Sequence, residues 1–298
     1  MLPELRFLRK FGAGAFGEVY EEQSKNIAVK IADREQNPKA APALKKEALA
    51  LQACKRAKVP HVVDLIDYYT SQICDLDPRG RLQGIKSPEL PSPEDHKCDA
   101  LILPILEGGS LEDKLDRGPL SETECKQIAK TILEALVGLH ENAHIVHRDL
   151  KPANIMFQNG EVVLIDFGVS STNNRPTTPT GTPYYMAPEV WDATKRRPYT
   201  SKADLWSLGI LVYQSLVGKM PFEAHNRMQL YMRIDQHLCY PEHLRFPASI
   251  SPVAREFILE LLKPATHRPS AAEALSHPWL QKPLKAPIHL PALRRWRL

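Results

Sequence analysis

The chain has 298 residues, 43% apolar and 25% charged, with a net formal charge of +4. That balance excludes the disordered and fibrous classes and sits near the upper length that one hydrophobic core serves. Basic and acidic residues are interspersed, which gives no footprint for nucleic acid, and no apolar run is long enough to span a bilayer.

The first hundred residues read mainly as strands, at 5–11, 18–20 and 27–32, separated by glycines and by the polar turn Gln23-Ser24-Lys25-Asn26. A helix is predicted over 43–57, with Leu44, Ala48 and Leu51 on one face, and two more strands near 62–68 and 100–103. Between those last two lies a segment of different composition, about 71–97, with Pro78, Pro88, Pro91 and Pro93 among charges and no sustained period. It reads as a flexible insertion, either a tolerated surface loop or a docking element for a regulator. From Ser110 onward the pattern turns helical. Ser121 to Glu124 spells a capping box, followed by Ile128, Ile132, Leu136 and Leu139 on one face. The stretch 202–217 is apolar nearly all round, as expected of a buried helix, and stops at Gly218. Helices are expected over 252–263 and 270–276, the second with a capping box from Ser270 to Glu273. The tail 281–298 is short and basic, ending in Arg294-Arg295-Trp296-Arg297, and reads as solvated. Five scattered cysteines, Cys54, Cys74, Cys98, Cys125 and Cys239, form neither a disulfide framework nor a zinc spacing. With no room for a signal peptide before the first strand, a cytoplasmic or nuclear monomer without membrane attachment is expected.

Gly12-Ala13-Gly14-Ala15-Phe16-Gly17 fits G-x-G-x-x-G. Dinucleotide sites use the same string, but there a helix must open directly after the glycines. Here the β-prone Glu18-Val19-Tyr20 follows, so the segment reads as a hairpin whose backbone amides can approach phosphate oxygens. Taken alone, an ordinary glycine-rich turn fits equally well.

Three further strings, and a fourth that closes the set, decide between these readings. Ala28-Val29-Lys30 lies on the third strand. His147-Arg148-Asp149-Leu150-Lys151-Pro152-Ala153-Asn154 follows the long capped helix, Asp166-Phe167-Gly168 follows the hairpin 155–165, and Ala187-Pro188-Glu189 comes last. In order and spacing the chain resembles the eukaryotic-type serine/threonine protein kinase family, over about residues 5–280. The resemblance implies an α+β, bilobal protein kinase fold: a small strand-rich N-lobe with one main helix over about 1–105, a larger helical C-lobe over about 106–280, and ATP in the cleft.

The resemblance also implies roles. Lys30 would hold the α- and β-phosphates, with Glu47 of the following helix as its acidic partner; the alternative is a surface pair of Glu47 with Lys45 or Lys46. Asp149 would orient the substrate hydroxyl and accept its proton, and Lys151 would meet the γ-phosphate. Asn154 and Asp166 would bind Mg²⁺, for which Mn²⁺ could substitute. Val19, Ala28 and Met156 would sandwich the adenine, and Leu103 would be the gatekeeper. Leu106 would offer backbone hydrogen bonds, and Pro104 and Ser110 would flank the hinge. Pro104 stands where the family often has Glu; it loses an N–H that the site does not need. His147 and Phe167 read as packing, and Glu189 with Arg268 as a structural ion pair.

Lys151 and the Gly181-Thr182-Pro183-Tyr184-Tyr185-Met186 segment resemble the serine/threonine form, with Thr182 bridging Asp149 and Lys151. Arg148 before Asp149 implies regulation by a phosphate on the activation segment, for which Thr178 is the expected site, with Thr177 and Thr180 beside it. Protein substrates and an upstream kinase or regulator are the implied partners. Ser110 and Ala153 stand where arginine-directed kinases carry Glu, which argues against a strict basic requirement. A pseudokinase scaffold is the first rival, opposed by the retention of Lys30, Asp149 and Asp166. A small-molecule kinase is the second, opposed by Lys151-Pro152 and the intact Ala187-Pro188-Glu189.

Overall fold

The computed structural model describes residues 9–14, 17–22, 26–34, 37–71, 98–171, 182–191 and 200–281. Ala15, Phe16, Thr177, Thr178, Thr180, most of the insertion (72–97) and the tail from 282 lie outside the described residues. The chain divides into two compact units, Met1–Arg56 with Val63–Leu106, and Ala57–Val62 with Glu107–Leu298.

Among the described residues the first unit is an antiparallel sheet with one helix. Its strands are β1 (Arg9–Gly14), β2 (Gly17–Glu22), β3 (Ile27–Asp33), β4 (Asp67–Ser71) and β5 (Cys98–Pro104), in the order β1-β2-β3-β5-β4. Alternation along β3 buries Ile27, Val29 and Ile31, which meet Ala100 and Ile102 of β5 in one apolar cluster. Ala28 and Lys30 fall on the opposite face. Helix α1 (Ala40–Arg56) buries Leu44, Glu47, Ala48, Leu51 and Cys54. It begins three residues before the predicted start, since Pro42 in the first turn sacrifices only an N–H that has no helical partner there. Asp99, fully buried, accepts from Arg34 Nε at 2.8 Å and from the Tyr68 hydroxyl, tying β3, β4 and β5 together. The strand predicted over 62–68 is present only from Asp67. His61 takes φ +57°, which breaks the extension before it, and Val62 instead bridges Leu164.

The second unit is mainly helical. Its helices are α2 (Leu111–Leu115), α3 (Glu122–Val137), α4 (Pro188–Trp191), α5 (Lys202–Val217), α6 (Arg227–Cys239), α7 (Pro252–Leu261), α8 (Ala271–Leu275) and α9 (Pro278–Gln281), with a hairpin of β6 (Ile155–Gln158) and β7 (Glu161–Leu164). Helix α5 spans the predicted residues and buries nearly all of them, Trp206 completely. It ends at Gly218 in the left-handed region, φ +76°, where a side chain would be strained. A Cβ on Gly209 would come within 2.9 Å of Leu261, so α5 and α7 pack at backbone range. Ser121 caps α3 by accepting from the Glu124 N–H, and Ser270 with Glu273 forms the full box on α8. The Glu122 carboxylate accepts from Ser251 N (3.1 Å), Ser251 Oγ (2.7 Å) and Trp279 Nε1 (3.0 Å), joining the starts of α3 and α7 to α9. Among the described residues no helix is long and apolar enough to cross a membrane.

Candidate active site

The predicted site residues fall into two groups, one in each unit. In the first unit the β1–β2 hairpin carries Gly12, Ala13, Gly14 and Gly17, with Gly14 paired to Gly17. Val19 pairs with Lys30 across β2 and β3, and Ala28 with Leu103 across β3 and β5. Lys30 Nζ lies 2.7 Å from Glu47 Oε2, with the Glu47 side chain only 1% exposed. Pro104 ends β5 opposite Ile27; the next donor, Ile105 N–H, reaches Asn26 O at 3.2 Å, so the imide interrupts no further pairing. Leu106 closes this unit.

In the second unit the chain after Leu106 is laid along β6. Gly108 N–H donates to Phe157 O at 2.8 Å, Phe157 N–H to Gly109 O at 3.0 Å, and Ser110 bridges Met156. A Cβ on Gly108 would stand 2.4 Å from the Phe157 carbonyl oxygen, so this approach requires glycine. Ser110 also caps α2, forming a capping box with Asp113 that the sequence reading passed over.

The loop 147–154 is held from below by Asp204. Its Oδ2 accepts from His147 N–H and its Oδ1 from Arg148 N–H, both at 2.9 Å, and His140 Nε2 donates to Oδ2 at 2.8 Å. Burial alone would raise the Asp204 pKa. The His140 hydrogen bond and charge, the His147 charge and the Arg148 amide outweigh it and hold the group below its ordinary value. Sequence reasoning missed Asp204, although a lone carboxylate near the start of an otherwise apolar helix is a readable signal. The His147 ring donates to Ile165 O at 3.1 Å and meets Phe167 edge-on at 4.8 Å, so both aromatic positions serve packing.

Asp149 gathers the remaining groups. Lys151 Nζ donates to its Oδ2 at 2.7 Å, Thr182 N–H and Oγ1 to its Oδ1 at 2.8 and 2.9 Å, and Asn154 Nδ2 to its Oδ2 at 3.2 Å. Lys151 also reaches Thr182 Oγ1 at 3.0 Å. Burial raises the Asp149 pKa, but Lys151, Thr182 and His147 together bring it below the ordinary value. Asn154 Nδ2 is spent on Asp149 O at 2.8 Å as well, which leaves its amide oxygen as the group available to a hard cation. Asp166 follows Ile165, whose N–H donates to Asn154 O at 3.1 Å. Asp166 and Arg148 both take left-handed backbone, φ +64° and +74°, strain of about 1–3 kcal/mol each, which clusters at functional sites. One carboxylate and one amide oxygen suit Mg²⁺, which binds proteins through one or two carboxylates and completes its shell with water and phosphate.

Past Thr182 the segment 182–191 is fastened to the helices behind it. Ser207 Oγ donates to Tyr185 O at 2.8 Å, Tyr185 hydroxyl to Gln214 Oε1 at 2.6 Å, and Tyr184 hydroxyl to Ala224 O at 2.9 Å. Arg268, 1% exposed, clasps Glu189 through Nη1 at 2.6 Å and Nη2 at 3.1 Å.

Residues 5–280 match the protein kinase domain. The chain is 31% identical over 290 residues to "Calcium-dependent protein kinase 10" of Arabidopsis thaliana, covering 94% of this chain and 48% of that protein. It is 35% identical over 191 residues to "Serine/threonine-protein kinase H1 homolog" of Danio rerio, covering 60% and 44%. It is 31% identical over 248 residues to "MAP kinase-activated protein kinase 2" of Cricetulus longicaudatus, covering 78% and 68%. The chain thus spans about half the length of the first two relatives.

Proposed function

From the premise that this chain belongs to the protein kinase family, we propose that it transfers the γ-phosphoryl group of ATP to serine or threonine hydroxyls of protein substrates. The observation that carries the reading is the Asp149 cluster: one ionised carboxylate bracketed by Lys151 at 2.7 Å and Thr182 at 2.8 Å. Phosphoryl transfer passes through a loose transition state, so the work of the protein is positioning and charge neutralisation. A carboxylate with a lowered pKa is a weak base but a strong hydrogen-bond acceptor. Asp149 therefore orients the incoming hydroxyl and takes its proton late. Lys151 neutralises the γ-phosphoryl oxygens, and Lys30, steadied by Glu47, holds the α- and β-phosphates.

The hairpin Gly12–Gly17 covers the phosphates with backbone amides. In this reading Val19, Ala28, Leu103, Pro104 and Leu106 of the first unit, and Met156 and Ser110 of the second, have the adenine-binding roles. Asn154 and Asp166 would hold Mg²⁺, or Mn²⁺ in its place. When bound, the metal neutralises the charge that develops on the phosphate oxygens. The preference for serine or threonine rests on Lys151 and on the Thr182 bridge to Asp149. Arg148 lies on the same loop, where a phosphate on Thr178, added by an upstream kinase, would find a guanidinium. The domain extends over about 1–280, with its N-lobe over about 1–105 and its C-lobe over about 106–280.

The test is Mg·ATP-dependent labelling of a peptide array by the purified chain. Phosphoserine and phosphothreonine are the expected products, abolished by Asp149→Asn. Labelling confined to tyrosine would overturn the specificity, and nucleotide binding without labelling would favour the scaffold reading. Wild-type activity in Thr178→Ala would remove the regulatory part.

A further inference from the structure

Away from the Asp149 cluster, helices α7, α8 and α9 line a half-open pocket of about 200 Å³. That is below the roughly 300–1,000 Å³ of small-molecule sites, and suits one long side chain rather than a nucleotide. Its walls are apolar, including Phe257, Leu261 and Pro278, and its rim carries Glu256, Glu260 and Glu273. Apolar walls under an acidic rim match a side chain with an aliphatic stem and a cationic head. Glu256 and Glu260 are four residues apart on α7, a like-charge pair that costs helix stability unless a cation joins it. Lys263 meets Glu260 only, and among the described residues no cation pairs with Glu256. His277 lines the same cavity, and burial holds its pKa below the ordinary value against the upward pull of Glu256 and Glu260.

The chain itself carries the complement. Residues 282–298 hold Lys282, Lys285, Arg294, Arg295 and Arg297 and no acidic residue. They leave α9 at Gln281, three residues past Pro278 of the cavity wall. The thirteen residues from Gln281 to Arg294 reach up to roughly 43 Å when extended, so the tether does not limit access. A tether of this length presents its end at an effective concentration in the millimolar range, enough for a contact that would be weak between separate molecules.

We propose that the cavity between α7 and α8 is a docking site for a basic side chain, and that its occupant is the Arg294-Arg295 pair of the chain's own C-terminal segment. This is independent of the phosphotransfer reading, since no step of it needs nucleotide.

Zero-length carbodiimide coupling of the full chain tests it, using Arg294→Lys/Arg295→Lys to keep the charge and supply amines. Coupled peptides joining 294 or 295 to Glu256, Glu260 or Glu273 are expected. They should vanish in Glu256→Gln/Glu260→Gln and fall to background in about 1 M NaCl, where the Debye length shrinks to about 3 Å. A mixture of unlabelled and ¹⁵N-labelled chains separates the sources. Same-isotope products support docking within one chain; mixed-isotope products would mean that a second copy fills the cavity and would overturn the proposed occupant. Coupling spread over carboxylates elsewhere on the surface, or unaffected by the glutamine substitutions, would overturn the site. An unchanged melting temperature in the glutamine variant guards against loss of folding.

Discussion

Lys30 on β3 and Glu47 on α1 are seventeen residues apart in sequence and 2.7 Å apart in space, with the carboxylate almost wholly buried. A buried carboxylate is kept only when it is paired, so α1 is docked by its charge as well as by Leu44 and Leu51. Lys30→Met is expected to lower kcat/KM by about 10²–10³-fold, the usual loss for a group that stabilises developing charge. Glu47→Gln, which removes the charge that steadies Lys30, should cost about 10–100-fold. If the two act as one unit, the double variant is no worse than Lys30→Met alone. Additive losses measured by steady-state kinetics would separate them.

Asp149→Asn keeps the shape of the side chain and removes its charge. A loss of about 10²–10⁴-fold in kcat is expected from removing a proton acceptor, with nucleotide affinity changed little. The pH dependence follows from the lowered pKa. Asp149 is ionised in the folded chain at every pH above its ordinary value of 3.8, and its function is lost only as pH falls through a still lower folded value. The kcat/KM profile should therefore show no acidic limb from this group between pH 5 and pH 8, as a profile measured with a non-titrating peptide would reveal.

The sequence made the signature strings legible because each needs fixed residue types at fixed spacing, and Lys30, Asp149, Asn154 and Asp166 stand in those strings. Glu47 was legible only through the helical face it shares with Leu51. Asp204 was not, because its work is done on the His147 and Arg148 backbone amides, and no residue type advertises an amide. The strand expected from Val62 was misplaced for a related reason. β-prone residues there lie beside a left-handed His61, whose conformation is set by the backbone it pairs with, His61 O accepting from Leu164 N–H at 2.8 Å. Ser110 illustrates the reverse case, a residue read for the ligand whose side chain is engaged by the start of α2.

Arg268 joins α4, α5 and the turn after α7 through one guanidinium. Beyond Glu189 it donates to Lys202 O at 2.6 Å and Lys263 O at 3.0 Å, and it lies 5.1 Å from the Trp206 ring. Arg268→Ala strands Glu189 and two carbonyls; a fully buried pair costs about 3–5 kcal/mol to break, and the partly exposed Glu189 places the expected loss at the lower end of that range. Arg268→Lys retains charge but not the fork, and should recover only part of this. Urea denaturation of the three proteins orders them; equal midpoints for Lys and Arg would show that charge alone suffices.

His237 on α6 is the acid-sensitive point of the helical unit. Its ring lies 6.4 Å from Trp206 and 5.2 Å from Phe222, with its side chain buried, and its Nδ1 has no hydrogen-bond partner among the described residues. Burial lowers its pKa below 6.5, partly offset by a hydrogen bond with the Leu262 backbone. A histidine kept neutral by folding binds its proton more readily in the unfolded chain. Its contribution is thus present above pH 6.5 and is lost as pH falls from there through the folded value. His277, lowered by burial in the same direction, adds to the effect. His237 can steepen the pH dependence of unfolding by at most about 1.4 kcal/mol per pH unit. In His237→Phe the ring still packs against Trp206 and Phe222, so the variant should lose part of this acid sensitivity while giving up the Leu262 hydrogen bond. Melting temperatures taken from pH 7.5 to pH 5 should fall less for the variant than for the parent chain. Parallel curves would show that His237 binds its proton equally well in the folded and unfolded chain and that the acid sensitivity lies elsewhere.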